Sequence, residues 1–412
     1  MFAFSHPTGN QNSRHAALAM VEAGLLAEMW TSIRWNDRSF LNRLLPRSLR
    51  EELRRRSFPD ALNPFIRTWP WCELGRLISV RLKCGSLFRS ETARFSIDSV
   101  YQAMDRHMAR SVLPRLKPSA VYAYEDGAAE TFRVAAGMGV HRVYELPIGY
   151  WRAAHAIFRE EREREPAWAP TLEGLSDSEA KLHRKDDELR AASTIVVPST
   201  FVRETLKLAP GVTAPVHVIP YGGPPVRELQ RSDCSGGPLR VLFVGSLGQR
   251  KGLGYVLKAI TALGSGVTLT LLGRKTSENC EPLNEAVKKC RWVSSVPHSE
   301  VLREMSSHDV LVFPSLFEGF GLVVLEAMSQ GLPVITTHNS GGGDIVTDAV
   351  DGFCVPIRSA DAIAEKLELL AADRPRLAAM RAAAIETARR CSWERYRHRL
   401  AEVVSPLVTK AP

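Results

Sequence analysis

Pro314-Ser315-Leu316-Phe317-Glu318-Gly319-Phe320-Gly321-Leu322-Val323-Val324-Leu325-Glu326-Ala327-Met328 is the stretch from which the rest of the chain can be read. Directly before it, Asp309-Val310-Leu311-Val312-Phe313 is a short apolar run rich in β-branched residues, which predicts a buried strand. Directly after the glycines, Leu322, Leu325 and Met328 recur at helical spacing, and Gly331 and Pro333 close the pattern. A turn containing Gly319 and Gly321 therefore joins a strand to a helix. In an open α/β sheet a ligand sits beyond the carboxyl end of such a strand, against the first turn of the next helix. Glycine lets the backbone come close to that ligand, and the free N–H groups and dipole of the helix start favour an anion. Two carboxylates flank the expected anion site: Glu318 in the loop and Glu326, about one turn into the helix. A carboxylate accepts two hydrogen bonds at once and so suits a vicinal diol, such as a ribose or a hexose ring. A chance pair of glutamates on a solvated helix face is the plain alternative.

The spacing of Glu318 and Glu326 within PSLFEGFGLVVLEAM, followed by Gly331-Leu332-Pro333-Val334-Ile335, closely resembles the signature of retaining glycosyltransferases of family 4, the glycosyl transferases group 1. The resemblance implies an α/β chain of the GT-B fold, with two Rossmann-like doubly wound domains facing an interdomain cleft. It implies a nucleotide-sugar donor used without a metal or other cofactor. Glu326 would hold the ribose, and Glu318 the donor-sugar hydroxyls and the positive charge at the anomeric carbon. The backbone of Gly319, Phe320, Gly321, Leu322 and Val323 would face the diphosphate.

Upstream, Leu239-Arg240-Val241-Leu242-Phe243-Val244-Gly245 reads as a strand entering a glycine turn, and Ser246-Leu247-Gly248-Gln249-Arg250-Lys251-Gly252 leads into an apolar helix. The lysine precedes the last glycine and no Lys-Ser/Thr pair closes the loop, so this is not a P-loop. It resembles the family's G-x-L-x-x-x-K-G motif, which maps Arg250 and Lys251 onto the basic pair that holds the donor diphosphate. Ser246 stands where many members carry arginine. Two cations at a helix start would be unfavourable beside the positive dipole unless an anion were bound there. Val296, Pro297 and His298 fall on the family's turn against the nucleotide base, and Asp344 replaces its usual glutamate.

The first half carries fewer motifs. Phe2-Ala3-Phe4, a loop over 6–12 and an apolar helical pattern to Gly24 open a doubly wound domain. The resemblance places that loop at the cleft, with Gly9 and Asn10 as candidates toward donor phosphate or acceptor. Residues 36–57 interleave Phe40, Leu41, Leu44, Leu45, Leu49 and Leu53 with seven arginines. Such a basic amphipathic stretch over 38–56 suits an anionic bilayer or, equally simply, a core-facing helix with solvated arginines. Many family members have a histidine after the strand at 142–146; here Gly149 or Tyr150 falls there, and the nearest histidine is His155. The acidic pairs Asp177/Glu179 and Asp186/Asp187 are read as a solvated helical face, not a metal motif.

At 412 residues the chain suits two domains. We expect an acceptor-side domain over 1–222, a donor-side domain over 223–391, and a last helix over 392–408 that crosses back to the first. A polar start after four residues and the lack of a long uncharged run predict neither signal peptide nor transmembrane helix. Seven scattered cysteines predict reduced thiols in the cytoplasm, and the basic stretch over 38–56 allows association with the inner face of the membrane. The net charge of +9 fits anionic nucleotide sugars or lipid surfaces, and with no nucleic-acid module in sight we expect no nucleic-acid partner. The expected function is transfer of a sugar from a UDP- or GDP-type donor to a hydroxyl of a glycan or lipid-linked acceptor. The alternatives are a nucleotide-sugar-binding protein impaired in catalysis and a GT-B sugar-nucleotide epimerase.

Overall fold

The computed structural model describes residues 1–36, 50, 53–172, 174–226 and 237–409. Strands β1 (Phe2–Ser5), β2 (Leu26–Thr31), β3 (Ile66–Thr68), β4 (Ala120–Tyr124), β5 (His141–Glu145), β6 (Thr194–Val197) and β7 (Val216–Val218) form one sheet, ordered β3-β2-β1-β4-β5-β6-β7. Strands β8 (Leu239–Val244), β9 (Val267–Leu272), β10 (Arg291–Val293), β11 (Val310–Phe313), β12 (Val334–Thr336) and β13 (Gly352–Cys354) form the other, ordered β10-β9-β8-β11-β12-β13. Neighbouring strands pair in parallel throughout. Parallel sheets are covered on both faces, so their strands are continuous apolar runs: every residue of β1, β4 and β11 is buried. Both sheets are doubly wound, as expected.

The helix Trp393–Val404 returns to the first sheet's side. Its Trp393 ring stacks on His15 at 4.0 Å, and Arg397 pairs with Glu22 at 2.8 Å. Both partners lie on the helix Gln11–Glu22.

The charged stretch after β5 departs from the solvated face expected of it. The helix Trp151–Arg164 lies against the second sheet's domain, and Glu161 is fully buried there. Its carboxylate accepts from Gln249 Nε2 (2.7 Å), Tyr255 O–H (2.8 Å) and Arg358 Nε (2.7 Å). Trp168 inserts among Val241, Phe243 and Leu253. Asp186 is also buried, accepting from Tyr150 O–H, Trp151 Nε1 and Arg152 Nη2 at 2.5–2.7 Å. Asp177 sits between Lys181 and Lys185, whereas Glu179 and Asp187 are exposed. Charge density in a sequence shows where ions are, not whether partners from elsewhere cover them.

Of the basic stretch, Arg38, Phe40, Leu41, Leu44, Leu45 and Leu49 lie outside the described residues. Arg56 pairs at 2.5 Å with Glu73, which is buried. Among the described residues no helix is long and apolar enough to cross a membrane. The helix Trp71–Arg81 nevertheless exposes Trp71, Leu74 and Ile78.

Candidate active site

In a doubly wound sheet the connections diverge between two central strands, and the crevice beyond their carboxyl ends is left open for a ligand. Here those strands are β1 and β4 in one sheet, β8 and β11 in the other. A cavity of about 280 Å³ opens at the β8/β11 crevice. Gly245, Lys251, Glu318, Phe320, Gly321, Leu322, Val323 and Glu326 line it from the second domain, and Asn12, Pro147 and Tyr221 from across the cleft.

The turn after β11 is held on three sides. Gly321 has φ +80°, and a Cβ there would stand 2.7 Å from the Phe313 ring, so both backbone and space require glycine. At Gly319 a Cβ would meet the Pro147 carbonyl oxygen at 1.9 Å, because the two domains touch there. Phe317 is buried edge-on against Phe158 and Phe201, with centroids 5.6 and 5.4 Å away. Phe320 meets Tyr221 at 5.3 Å. The turn delivers the helix Leu322–Ser329, which no side chain caps. Its first N–H groups have no intrahelical partners and, with the helix dipole, favour an anion.

The basic loop rests on the same turn. Gly252 has φ +75°, and a Cβ there would come 2.3 Å from the Pro314 carbonyl oxygen. Lys251 is buried with its ammonium 4.7 Å from the centre of the Phe313 ring. Lys251 and Arg250 converge on one oxygen of Glu318, Arg250 at 3.0 Å. Burial holds the Lys251 ammonium below its ordinary pKa, despite the pull of Glu318. Burial pushes the Glu318 carboxyl up, but the charges of Lys251 and Arg250 outweigh it and leave it below its ordinary value. Two cations therefore share one carboxylate at the mouth of an uncapped helix. Glu318, expected to hold sugar hydroxyls, is here the counter-ion of the basic pair.

Glu326 reaches the cavity from one turn into the helix, and its Oε1 lies 2.9 Å from His298 Nε2. The hydrogen bond from Glu326 raises the His298 pKa. Gly245 ends β8 with φ +138° and lines the cavity.

In the first loop neither Gly9 nor Asn10 lines this cavity, while Asn10 lines a second one at the β1/β4 crevice. Gly9, with φ +59°, packs on the Phe58 ring and lines no part of this cavity. Asn10 caps the helix Gln11–Glu22 by accepting from Ser13 N–H at 2.8 Å. Asn12, two residues further on, reaches the cavity instead. Where the family carries histidine, Gly149 packs on Phe317 and Tyr150 is buried against Asp186, leaving Pro147 at the cleft. His155 Nε2 shares a hydrogen bond with the Gly174 carbonyl oxygen, on the helix that leaves the cleft. Asp344 does not line the cavity; its carboxylate accepts from Thr200 N–H at 2.6 Å across the domains. The overlooked residues Asn12, Pro147 and Tyr221 follow the ends of β1, β5 and β7, which is the signal that could have found them. Among the described residues no three His, Cys, Asp or Glu side chains cluster as metal ligands do.

Two facing doubly wound domains make this a GT-B fold, shared with sucrose-phosphate synthase from Thermosynechococcus elongatus. That structure superposes with a TM-score of 0.67 at 17% identity, covering 100% of this chain and 99% of the other. Anabaena HepE in complex with UDP-glucose gives 0.63 at 16% identity, covering 98% and 99%. Residues 227–390 match the family of glycosyl transferases group 1, so this region is a glycosyltransferase domain of that group. Sucrose synthase from Acidithiobacillus caldus is 41% identical over 120 residues, 27% of this chain and 15% of that protein. The chain spans less than a third of the length of the first curated relatives it matches.

Proposed function

We propose that this protein is a retaining glycosyltransferase that moves a sugar from a UDP- or GDP-type donor to a hydroxyl acceptor, in the synthesis of a polysaccharide, glycolipid or other glycoconjugate. Residues 1–222 would serve the acceptor and 223–391 the donor. The observation that carries this reading is the convergence of Lys251 and Arg250 before the uncapped start of the helix Leu322–Ser329, with Glu326 beside it. A diphosphate entering there takes over the two cations from Glu318 and receives the N–H groups of Gly321 to Val323. That neutralises the departing phosphate, and preorganised electrostatics of this kind is usually the largest catalytic term. Glu326 accepts from the ribose hydroxyls. Glu318, released from the basic pair, turns to the sugar and steadies the charge at the anomeric carbon. The acceptor oxygen bonds to that carbon on the face from which the phosphate leaves, and its proton passes to the leaving phosphate oxygen. The reading calls for no metal or cofactor.

A binding protein impaired in transfer is the second reading, favoured by Ser246 and by Pro147 at the strand end. A thermal-shift titration with UDP, GDP and ADP, and with their sugars, tests the first. We expect one nucleotide to stabilise the wild type by about 2.7 kcal/mol at a hundredfold excess over Kd, and Lys251→Ala to abolish the shift. No stabilisation at millimolar nucleotide removes the donor assignment. Slow release of free sugar from the stabilising donor separates an active transferase from a binder, and the stereochemistry of the recovered sugar nucleotide separates it from an epimerase.

A further inference from the structure

The crevice of the first sheet, between β1 and β4, holds a cavity of its own, about 260 Å³ in volume. It shares Pro147 with the first cavity, so ligands in the two would meet there. His6 follows β1, Glu125 and Asp126 follow β4, and Ile97, Asp98 and Tyr101 close the far side.

His6 is 3% exposed and stands edge-on to Tyr124 and Tyr101, with centroids 4.7 and 6.0 Å away. Its Nδ1 accepts the Gly9 N–H at 3.0 Å, which leaves the ring proton on Nε2. Nε2 has no partner among the described residues, so a buried donor is left open where the side chain lines the cavity. Burial lowers the His6 pKa to about 3, so the ring is neutral at any working pH.

Most of the other polar groups are acceptors; Asn10 also lines the space, its Oδ1 taken by the Ser13 N–H. Asp98, Glu125 and Asp126 face the space with one cation, Lys181, which is already held at 3.0 Å by both Asp98 and Asp177. Arg184 and Lys185 do not line the cavity; Arg184 is 3.0 Å from Asp126 and Lys185 3.6 Å from Glu125. The carboxylates thus have their counter-ions and do not demand a cationic ligand; burial pushes the Glu125 carboxyl up to about 7, and the carboxylates of Asp98 and Asp126 oppose an anionic ligand.

We propose that this second cavity binds an uncharged ring rich in hydroxyls, a sugar or a cyclitol, which carries the accepting hydroxyl, and that it rejects phosphorylated forms of the same ring. Ring hydroxyls donate to Asp98, Glu125 and Asp126 and accept from His6 Nε2–H. The apolar face of the ring packs on Tyr101 and Ile97. The proposal rests on the transferase reading, because only then does a second ligand need to meet the donor at Pro147. The ring can end a soluble glycan or head a glycolipid, and the chemistry is the same.

Saturation-transfer NMR on the full chain, with UDP present, is the test. The probes are myo-inositol, methyl and octyl glucopyranoside, glucose 6-phosphate and myo-inositol 1-phosphate. We expect at least one neutral ring to bind, and its phosphate to bind at least about tenfold more weakly, since like charges in a site are a strong means of rejection. Preference for the octyl over the methyl glucoside supports the proposal with a lipid-linked source, and equal binding supports it with a soluble one. Ile97→Trp, which narrows the mouth, should lose the neutral ring while UDP still raises Tm. Asp98→Asn/Asp126→Asn should narrow the gap between ring and phosphate, and Asn tolerates the left-handed backbone at 126 (φ 69°). Phosphates that bind as well as the neutral rings overturn the proposal, as does a neutral ring that survives Ile97→Trp or a failure of every neutral ring to bind. Absence of UDP binding removes UDP as the donor nucleotide and leaves this proposal untouched, because the same comparison without UDP still decides the second cavity.

Discussion

Glu318 pairs with both Arg250 and Lys251 and must release two cations when a donor arrives. Lys251→Ala leaves Arg250 to balance Glu318 and removes one of the two charges proposed for the leaving phosphate. Glu326→Ala removes the ribose acceptor. We expect each to lose at least about tenfold in kcat/KM, on the order of 1.4 kcal/mol of transition-state stabilisation. Wild-type kinetics in either variant would remove that residue's assignment. His298 adds a pH dependence. Its pKa is raised in the folded protein by the hydrogen bond with Glu326, so the pair's contribution is full below the ordinary histidine pKa and fades as pH rises through the raised value. A ribose must compete for Glu326 with protonated His298. The nucleotide sugar that stabilises the wild type, whose diphosphate does not titrate near neutrality, should therefore bind more tightly as pH climbs past the His298 pKa, and His298→Asn should flatten that slope. A slope unchanged in the variant would assign it to another group. The motif residues Glu318, Gly321, Glu326 and Lys251 were legible because each lies in the loop after a strand end or in the first turns of the helix that loop delivers. Asn12 and Tyr221 also follow strand ends, but that signal alone does not single them out, because which of those loops faces a cleft depends on the docking of two domains.

At the scale of elements, long central strands such as β4 and β8 were visible as apolar runs, whereas β3, β10 and β13 have three residues each and show no period. The charged helix Trp151–Arg164 shows the limit of composition: it is dense in ions, but Glu161 is covered by partners roughly 90–200 positions away in sequence. The membrane contact expected of 38–56 has a describable neighbour. Trp71, Leu74 and Ile78 recur along one face of their helix, 66%, 40% and 58% exposed, and Leu82 just beyond is 68% exposed. Arg81, Lys83 and Arg89 are exposed beside them. We propose that this face rests on an anionic bilayer, its apolar side chains inserted and Arg81, Lys83 and Arg89 at the headgroups. Arg56 is a poor probe, because it pairs with buried Glu73. Trp71→Ser/Ile78→Ser/Leu82→Ser touches only exposed positions and should reduce co-flotation with phosphatidylglycerol vesicles. Equal flotation of wild type and variant would sink the bilayer contact.

At the scale of the whole molecule, each sheet supplies one crevice, and Pro147 belongs to both cavities. The cleft between them is bridged at several levels. Ser199 O–H donates to the Gly319 carbonyl at 2.6 Å, Gln249 N–H to Thr171 Oγ1 at 2.9 Å, and Glu161 draws three donors from the second domain. The linker adds Tyr221, whose hydroxyl donates to buried Glu145 at 2.6 Å while its ring meets Phe320. A nucleotide seated between Lys251 and Tyr221 should therefore order both sides of the cleft. Hydrogen exchange can read this directly, since amides protected by local structure slow further when a ligand stabilises it. With the nucleotide that stabilises the wild type, we expect slower exchange in 319–326 and also in 148–150, 199–203 and 221–223, which lie on or against the opposite wall. The same nucleotide added to Lys251→Ala should leave both sets unchanged. Protection confined to 319–326 would show that the donor binds the second domain alone, and closure would then have to wait for the acceptor.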